Sequence, residues 1–113
     1  MRRALARADE LDLLIDAMLG TGAQGQVKEP FLTAIELLNR SRTPVLAVDV
    51  PSGLDCDTGR PLGAAVRADV SVTFVCRKAG FNWPGAEQYT GRVQVAEIGI
   101  PAAEVRRLLL EGK

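Results

Sequence analysis

Two aspartates, each followed by a glycine-bearing loop, are the groups in this sequence best placed to do chemistry. Asp16 lies within the largely apolar run "LDLLIDAML" and precedes Gly20-Thr21-Gly22-Ala23-Gln24-Gly25. Asp49 lies near the end of "PVLAVDV" and precedes Pro51-Ser52-Gly53. A carboxylate beside loop carbonyls and a hydroxyl makes an all-oxygen site that suits a hard cation. A carboxylate can also act as an acid or base, and a partly buried one with a raised pKa is a standard solution where histidine is absent. Glycines let the backbone approach a ligand closely, and successive N–H groups can cradle an anion. The chain has no histidine. Ser-His and Cys-His nucleophile pairs and the usual zinc sites are therefore excluded, and proton transfer falls to carboxylate, lysine, tyrosine, thiol or water. Cys56 and Cys76 have no metal-like spacing and read as free thiols in a reducing compartment, with the cytoplasm as the expected location.

The first loop matches the pattern G-x-G-x-x-G, but its context differs from the ordinary dinucleotide fingerprint. There, the third glycine lies inside a helix that starts within the loop, so that a pyrophosphate sits on the helix N-terminus. Here Gly25 is followed by Gln26-Val27-Lys28-Glu29-Pro30, which delays the helix by about five residues. The ribose-binding acid expected about 20 residues on is also missing; the strand-end acid is Asp49, followed by what looks like a second ligand loop.

The elements that must position these groups follow from the hydrophobic pattern. The run 11–19 reads as a buried parallel strand ending near Asp16 or Ala17. Pro30 suits a first helical turn, and Phe31, Ala34, Ile35 and Leu38 make one face of a helix ending near Arg40. Residues 44–50 form a second buried strand, which completes a right-handed βαβ unit. The stretch 51–68 is a long irregular loop rich in Gly, Pro and Asp, of the kind that is usually functional. Residues 69–76 and 92–100 read as the third and fourth strands, with a loop and a turn of helix between them. Pro101 opens a terminal helix, and residues 1–10 read as a short helix or the tail of a missing one. Asp16 and Asp49 should then lie at the same carboxyl edge of a parallel sheet, where such sheets bind ligands, and meet around a shared pocket.

The chain is 113 residues long, enough for one domain and one core. Lys+Arg and Asp+Glu both total 14, so no basic excess points to nucleic acid. The N-terminal Arg2, Arg3 and Arg7 have no apolar stretch behind them of the secretory type, and no run approaches a membrane span. Neither a nucleic-acid nor a membrane partner is expected.

In order, "IDAMLGTGAQGQVKEPF", "VLAVDVPSGLDCDTGRPLG", "VRADVSVTFVCRKAGF" and "GRVQVAEIGIP" closely resemble the second half of the YjeF N-terminal domain, the NAD(P)H-hydrate epimerase family. The resemblance covers about residues 8 to 101. It implies a Rossmann-like three-layer αβα sandwich with a mostly parallel sheet. It also implies an isomerase of nicotinamide cofactor repair that interconverts R- and S-NAD(P)HX, the hydrated forms of NADH and NADPH. By the same resemblance, Asp16 and Ser52 fall on ligands of a potassium ion, K⁺. Gly20, Thr21, Gly22, Ala23, Gln24, Gly25 and Gln26 fall on the NAD(P)HX-binding loop. Asp49 falls on the substrate-contacting aspartate, the expected acid/base. Lys78 falls at a position often basic in the family and reads either as a phosphate contact or as a solvated surface lysine. A homodimer is the expected assembly, and an NAD(P)H-hydrate dehydratase the functional partner. The family's earlier loop, of the form G-x-G-N-N-G-G-D-G, has no counterpart here, so residues 1–113 read as a single domain of this type lacking its N-terminal half. The alternatives are an inactive fragment, a non-catalytic binding or scaffold module on the same fold, and the NAD-binding half of a dehydrogenase.

Overall fold

In the computed structural model, residues 7–22 and 24–111 are described. Four strands form one all-parallel sheet in the order β1-β2-β3-β4. They are β1 (Leu14–Asp16), β2 (Val45–Val48), β3 (Val70–Phe74) and β4 (Arg92–Ala96). Helix α1 (Phe31–Arg40) connects β1 to β2, the short α2 (Glu87–Thr90) precedes β4, and α3 (Ala102–Glu111) ends the described chain. The strands are shorter than the apolar runs that announce them. In particular, the run 11–19 keeps only three residues in the ladder, and 97–100 bend away after β4. Of residues 1–10, Ala8–Glu10 form a 3₁₀ turn, and 1–6 lie outside the described residues.

Pairing fixes which side chains share a face. Leu14 stands beside Val45, Asp16 beside Ala47, and Ala47 beside Ser71. On this face Ile35 and Leu38 of α1 pack with Leu14, Val45, Ala47, Val66 and Ala68. A second cluster of Val50, Leu54, Ala65 and Phe81, with Tyr89 and Val93 against it, extends the core toward β4. The expected helix face holds for Ala34, Ile35 and Leu38, but Phe31 is 37% exposed. It is the first helical residue, where the chain has only just left the Pro30 turn, and so lies at the margin of the core. On the opposite face, Leu46, Val48, Val70, Val72 and Phe74 are only half-buried and Ile15 is 64% exposed.

Polar side chains fasten the connections to this frame. Asp9 Oδ1 accepts from Ser41 Oγ and Arg42 N just after α1. Asn39 donates to Ala65 O and accepts from Arg67 N, holding the end of the long loop against the helix.

Candidate active site

Both aspartates lie at the carboxyl edge of the sheet. Asp16 is the last residue of β1, and Asp49 follows the last residue of β2, its N–H still donating to Val72 O of β3 at 2.7 Å. There the likeness ends, because each carboxylate turns to its own partners.

Asp16 is 1% exposed. Its Oδ1 accepts from Ser52 Oγ at 2.6 Å and Met18 N at 3.3 Å, and its Oδ2 accepts from Ser52 N at 2.7 Å. Ser52 Oγ in turn accepts from Leu19 N at 2.9 Å. One carboxylate thus locks the two loops together across 36 positions of sequence. Every partner is neutral, and among the described residues no cationic side chain pairs with Asp16. A buried carboxylate is ordinarily offset by hydrogen bonds, a cation or both. The oxygens gathered here are those of a carboxylate, a hydroxyl and, 3.5 Å from that hydroxyl, the Leu19 carbonyl, and in type they fit a hard cation.

Asp49 has a φ of 70°, uncommon for a residue with a side chain. Its Oδ1 accepts from Thr73 Oγ1 at 3.0 Å and Phe74 N at 3.1 Å, and Lys78 Nζ stands 3.2 Å away. Burial works to raise the pKa of this carboxyl. The Phe74 N–H, the Lys78 ammonium and the Thr73 hydroxyl outweigh it and hold the group below the ordinary aspartate value. Asp49 is held as the anion.

The two loops do face each other. Gly20, Thr21, Gln24 and Gly25 on one side, and Leu54 to Asp57 with Leu62 on the other, enclose a cavity of about 280 Å³. A larger cleft of about 500 Å³ lies next to it, lined by Asp57, Thr58, Arg60, Trp83 and Pro84. Among the described residues, neither of these two linings includes Asp16 or Asp49. Ser52 holds one carboxylate, and the end of β3 holds the other.

The profile of the family described as YjeF-related protein N-terminus matches residues 2–80. The chain belongs to that family. Among relatives of this YjeF N-terminal-type chain, a bifunctional NAD(P)H-hydrate repair enzyme Nnr of Pyrobaculum aerophilum is 53% identical over 90 residues, covering 80% of this chain and 18% of that protein. An NAD(P)H-hydrate epimerase of Pirellula staleyi is 48% identical over 94 residues, covering 83% of this chain and 41% of that protein. The chain therefore spans well under half the length of these curated relatives. The crystal structure of the yeast protein ynu0 superposes with a TM-score of 0.72 over 92% of this chain and 44% of that one, at 23% identity, a likeness of fold.

The YjeF N-terminal-type frame distributes the expected site residues unequally. Asp16 and Ser52 are brought into direct contact. Gly20, Thr21, Gly22, Gln24, Gly25 and Gln26 are exposed, and Ala23 lies outside the described residues. A Cβ built at Gly20, Gly22 or Gly25 would meet no atom within 4 Å. Among the described residues no packing explains these three glycines, though Gly25 also has a φ of 72°. Helix α1 starts at Phe31, so no helix N-terminus lies within this loop, in keeping with its departure from the dinucleotide fingerprint.

The second loop corrects a further expectation. Pro51, Ser52 and Gly53 are buried, and a Cβ at Gly53 (φ 89°) would lie 2.0 Å from Ala64 O. Gly53 serves the fold of the 51–68 loop, and the start of this loop is buried where residues 20–22 and 24–26 are exposed. Thr73 and the Phe74 N–H are contacts of Asp49 that the sequence reading missed. Thr73, a polar residue one place from the end of β3, was the available signal. Lys78 is corrected too: only 18% of its side chain is exposed, and it is neither solvated nor turned outward. Cys56 and Cys76 are free thiols, as expected. Burial, then Asp57 and Asp55, push the Cys56 thiol above its usual value, which makes it a poor nucleophile. No helix among the described residues is long and apolar enough to cross a membrane.

Proposed function

We propose that the chain serves NAD(P)H-hydrate epimerisation, interconverting R- and S-NAD(P)HX. The observation that carries this reading is the pairing of an unpacked glycine loop with an anionic, hydrogen-bonded Asp49 at the same sheet edge, in a chain 48% identical to a named NAD(P)H-hydrate epimerase. Residues 20–26 offer exposed backbone to the substrate, with Gly20, Gly22 and Gly25 letting its phosphates approach. Asp49 is the proposed base. The carbon–oxygen bond at the hydrated ring carbon breaks as the ring nitrogen supplies electrons, and the hydroxyl takes up a proton and leaves as water; when water adds to the other face, the Asp49 carboxylate takes its proton and returns it in the next cycle. The depressed pKa makes Asp49 a weak base in the resting site. Desolvation by a bound substrate would bring it closer to its task.

Asp16 and Ser52 are the proposed ligands of K⁺, which when bound would offset the buried carboxylate charge and pre-order both loops. The remainder of the family's length supplies the rest of the site, and a homodimer is the proposed assembly. An NAD(P)H-hydrate dehydratase acts on the S product, and the free thiols suit the cytoplasm.

The test is an assay of this chain with R-NADHX coupled to an S-specific dehydratase, with K⁺ present or replaced by a larger organic cation. Turnover that depends on K⁺ and disappears in Asp49→Ala supports the reading. A folded chain without turnover, or a fully active Asp49→Ala variant, overturns the catalytic assignment.

A further inference from the structure

Strands β2 and β3 end in the same unusual way. Asp49 and Val75 both have a φ of 70°, a conformation rarely adopted by residues with side chains and least of all by a β-branched one. In each case the next residue donates its N–H back to the carbonyl of the residue before: Val50 N to Val48 O at 3.0 Å, and Cys76 N to Phe74 O at 2.8 Å. These are three-residue γ-turns of the positive-φ kind, which are rare and strained. Strain of this type persists where the surroundings over-determine it, and it gathers at functional sites.

The two turns are stitched side by side. Asp49 N donates to Val72 O at 2.7 Å and Val75 N to Ala96 O at 3.0 Å, so each turn extends the ladder by one rung. Across the gap, Oδ1 of Asp49 accepts from Thr73 Oγ1 and Phe74 N of the neighbouring turn. Lys78 closes the arrangement. Its Nζ donates to Phe74 O at 3.0 Å and Cys76 O at 3.3 Å, and stands 3.2 Å from Asp49 Oδ1. An ammonium has three N–H donors and here has three acceptors. It has none to spare for a phosphate. Among the described residues, the side-chain contacts of Asp49 fall on Oδ1 and none reaches Oδ2.

We propose that Lys78 is a positioning residue. Its ammonium, anchored on the carbonyls of Phe74 and Cys76, pins Oδ1 of Asp49 to the end of β3 and leaves Oδ2 as the oxygen offered to the substrate. The proposal rests on the reading of Asp49 as the epimerase base. It adds that the base is aimed by a cation from the segment that follows β3 and not by the loop that carries it.

Two readouts separate the proposal from that reading. The first needs no turnover: titration of the Asp49 carboxyl by ¹³C NMR in the 113-residue chain, in wild type, Lys78→Met and Lys78→Arg. Lys78 is the charged group on Asp49, and Cys56, from the loop between β2 and β3, is the titratable group beside Lys78. The Asp49 midpoint should move up in Lys78→Met and return part of the way in Lys78→Arg. The second is the coupled epimerisation assay. Loss of aim should lower kcat by about tenfold to a hundredfold with KM little changed, and Lys78→Arg should restore part of the loss. An unchanged Asp49 titration in Lys78→Met overturns the proposal, as does a loss that falls on KM. A wild-type chain without turnover removes the epimerase reading, and the titration then decides by itself whether Lys78 governs Asp49.

Discussion

Asp16 holds a carboxylate where almost no solvent reaches, at 1% exposure, and spends it on the N–H and hydroxyl of Ser52 and the N–H of Met18. Asp16→Ala removes both acceptor oxygens and the three hydrogen bonds they take, and strands a buried N–H. It should cost roughly 2–4 kcal/mol of folding stability, measured by urea unfolding. Asp16→Asn keeps one acceptor oxygen and should cost less. Equal losses in both variants would show that charge, not hydrogen bonding, holds the loops. Asp49 makes the complementary prediction in pH. Its folded pKa lies below its unfolded value, so its contribution to stability is complete above the ordinary aspartate range and is lost as pH falls through the folded pKa. Asp49→Asn should therefore flatten the acid limb of the stability curve, read as Tm against pH. Asp9, held low by the Arg42 N–H and the Ser41 hydroxyl at the protein surface, adds to the same limb and remains in the variant.

At the scale of elements, the loops divide their glycines between two tasks. Gly53 lies at a φ of 89° with Ala64 O where a Cβ would go, because Ser52 O and Gly53 O must accept from Val66 N and Leu62 N as the loop folds back on itself. Gly53→Ala should destabilise the chain by about 3 kcal/mol or more, or prevent folding, as seen by circular dichroism and thermal melting. Gly20 and Gly22 have open space around them. Gly20→Ala and Gly22→Ala should leave stability within about 0.5 kcal/mol of wild type and weaken binding of the dinucleotide substrate, read by calorimetric titration. Substitutions that melt the protein instead would mean that this loop is built for packing.

At the scale of the whole molecule, helix α1 and the long loop cover one face of the sheet and leave the other half-open. Ile15 is 64% exposed on that face, Leu13 is 48% exposed just before β1, and Leu108, Leu109 and Leu110 of α3 are each more than half exposed. Among the described residues β1 pairs on one side only, with β2. Exposed apolar surface beside an unpaired strand edge favours association. The 113-residue chain by itself should show concentration-dependent self-association in sedimentation velocity, and Ile15→Lys should weaken it. A monodisperse monomer at high concentration would show that these residues are covered in solution.

The sequence by itself determined the class of fold and the order of its elements. Hydrophobic period and the placing of Gly and Pro are local signals: α1 begins and ends where Pro30 and Arg40 said it would, and each of the four strands lies within an apolar run that announces it. The motif residues likewise marked Asp16, Ser52 and Asp49, and parallel βαβ order put both aspartates at one edge. Tertiary structure alone decided what each carboxylate does. The turn of Asp49 to positive φ, its contacts with Thr73 and Phe74, and the inward course of Lys78 depend on β2 and β3 lying side by side about 25 residues apart in sequence. The division of Gly53 from Gly20 and Gly22 is of the same kind. A glycine codon reports that a Cβ is missing, and only the atoms arriving from elsewhere in the chain show whether packing needed the space or left it free.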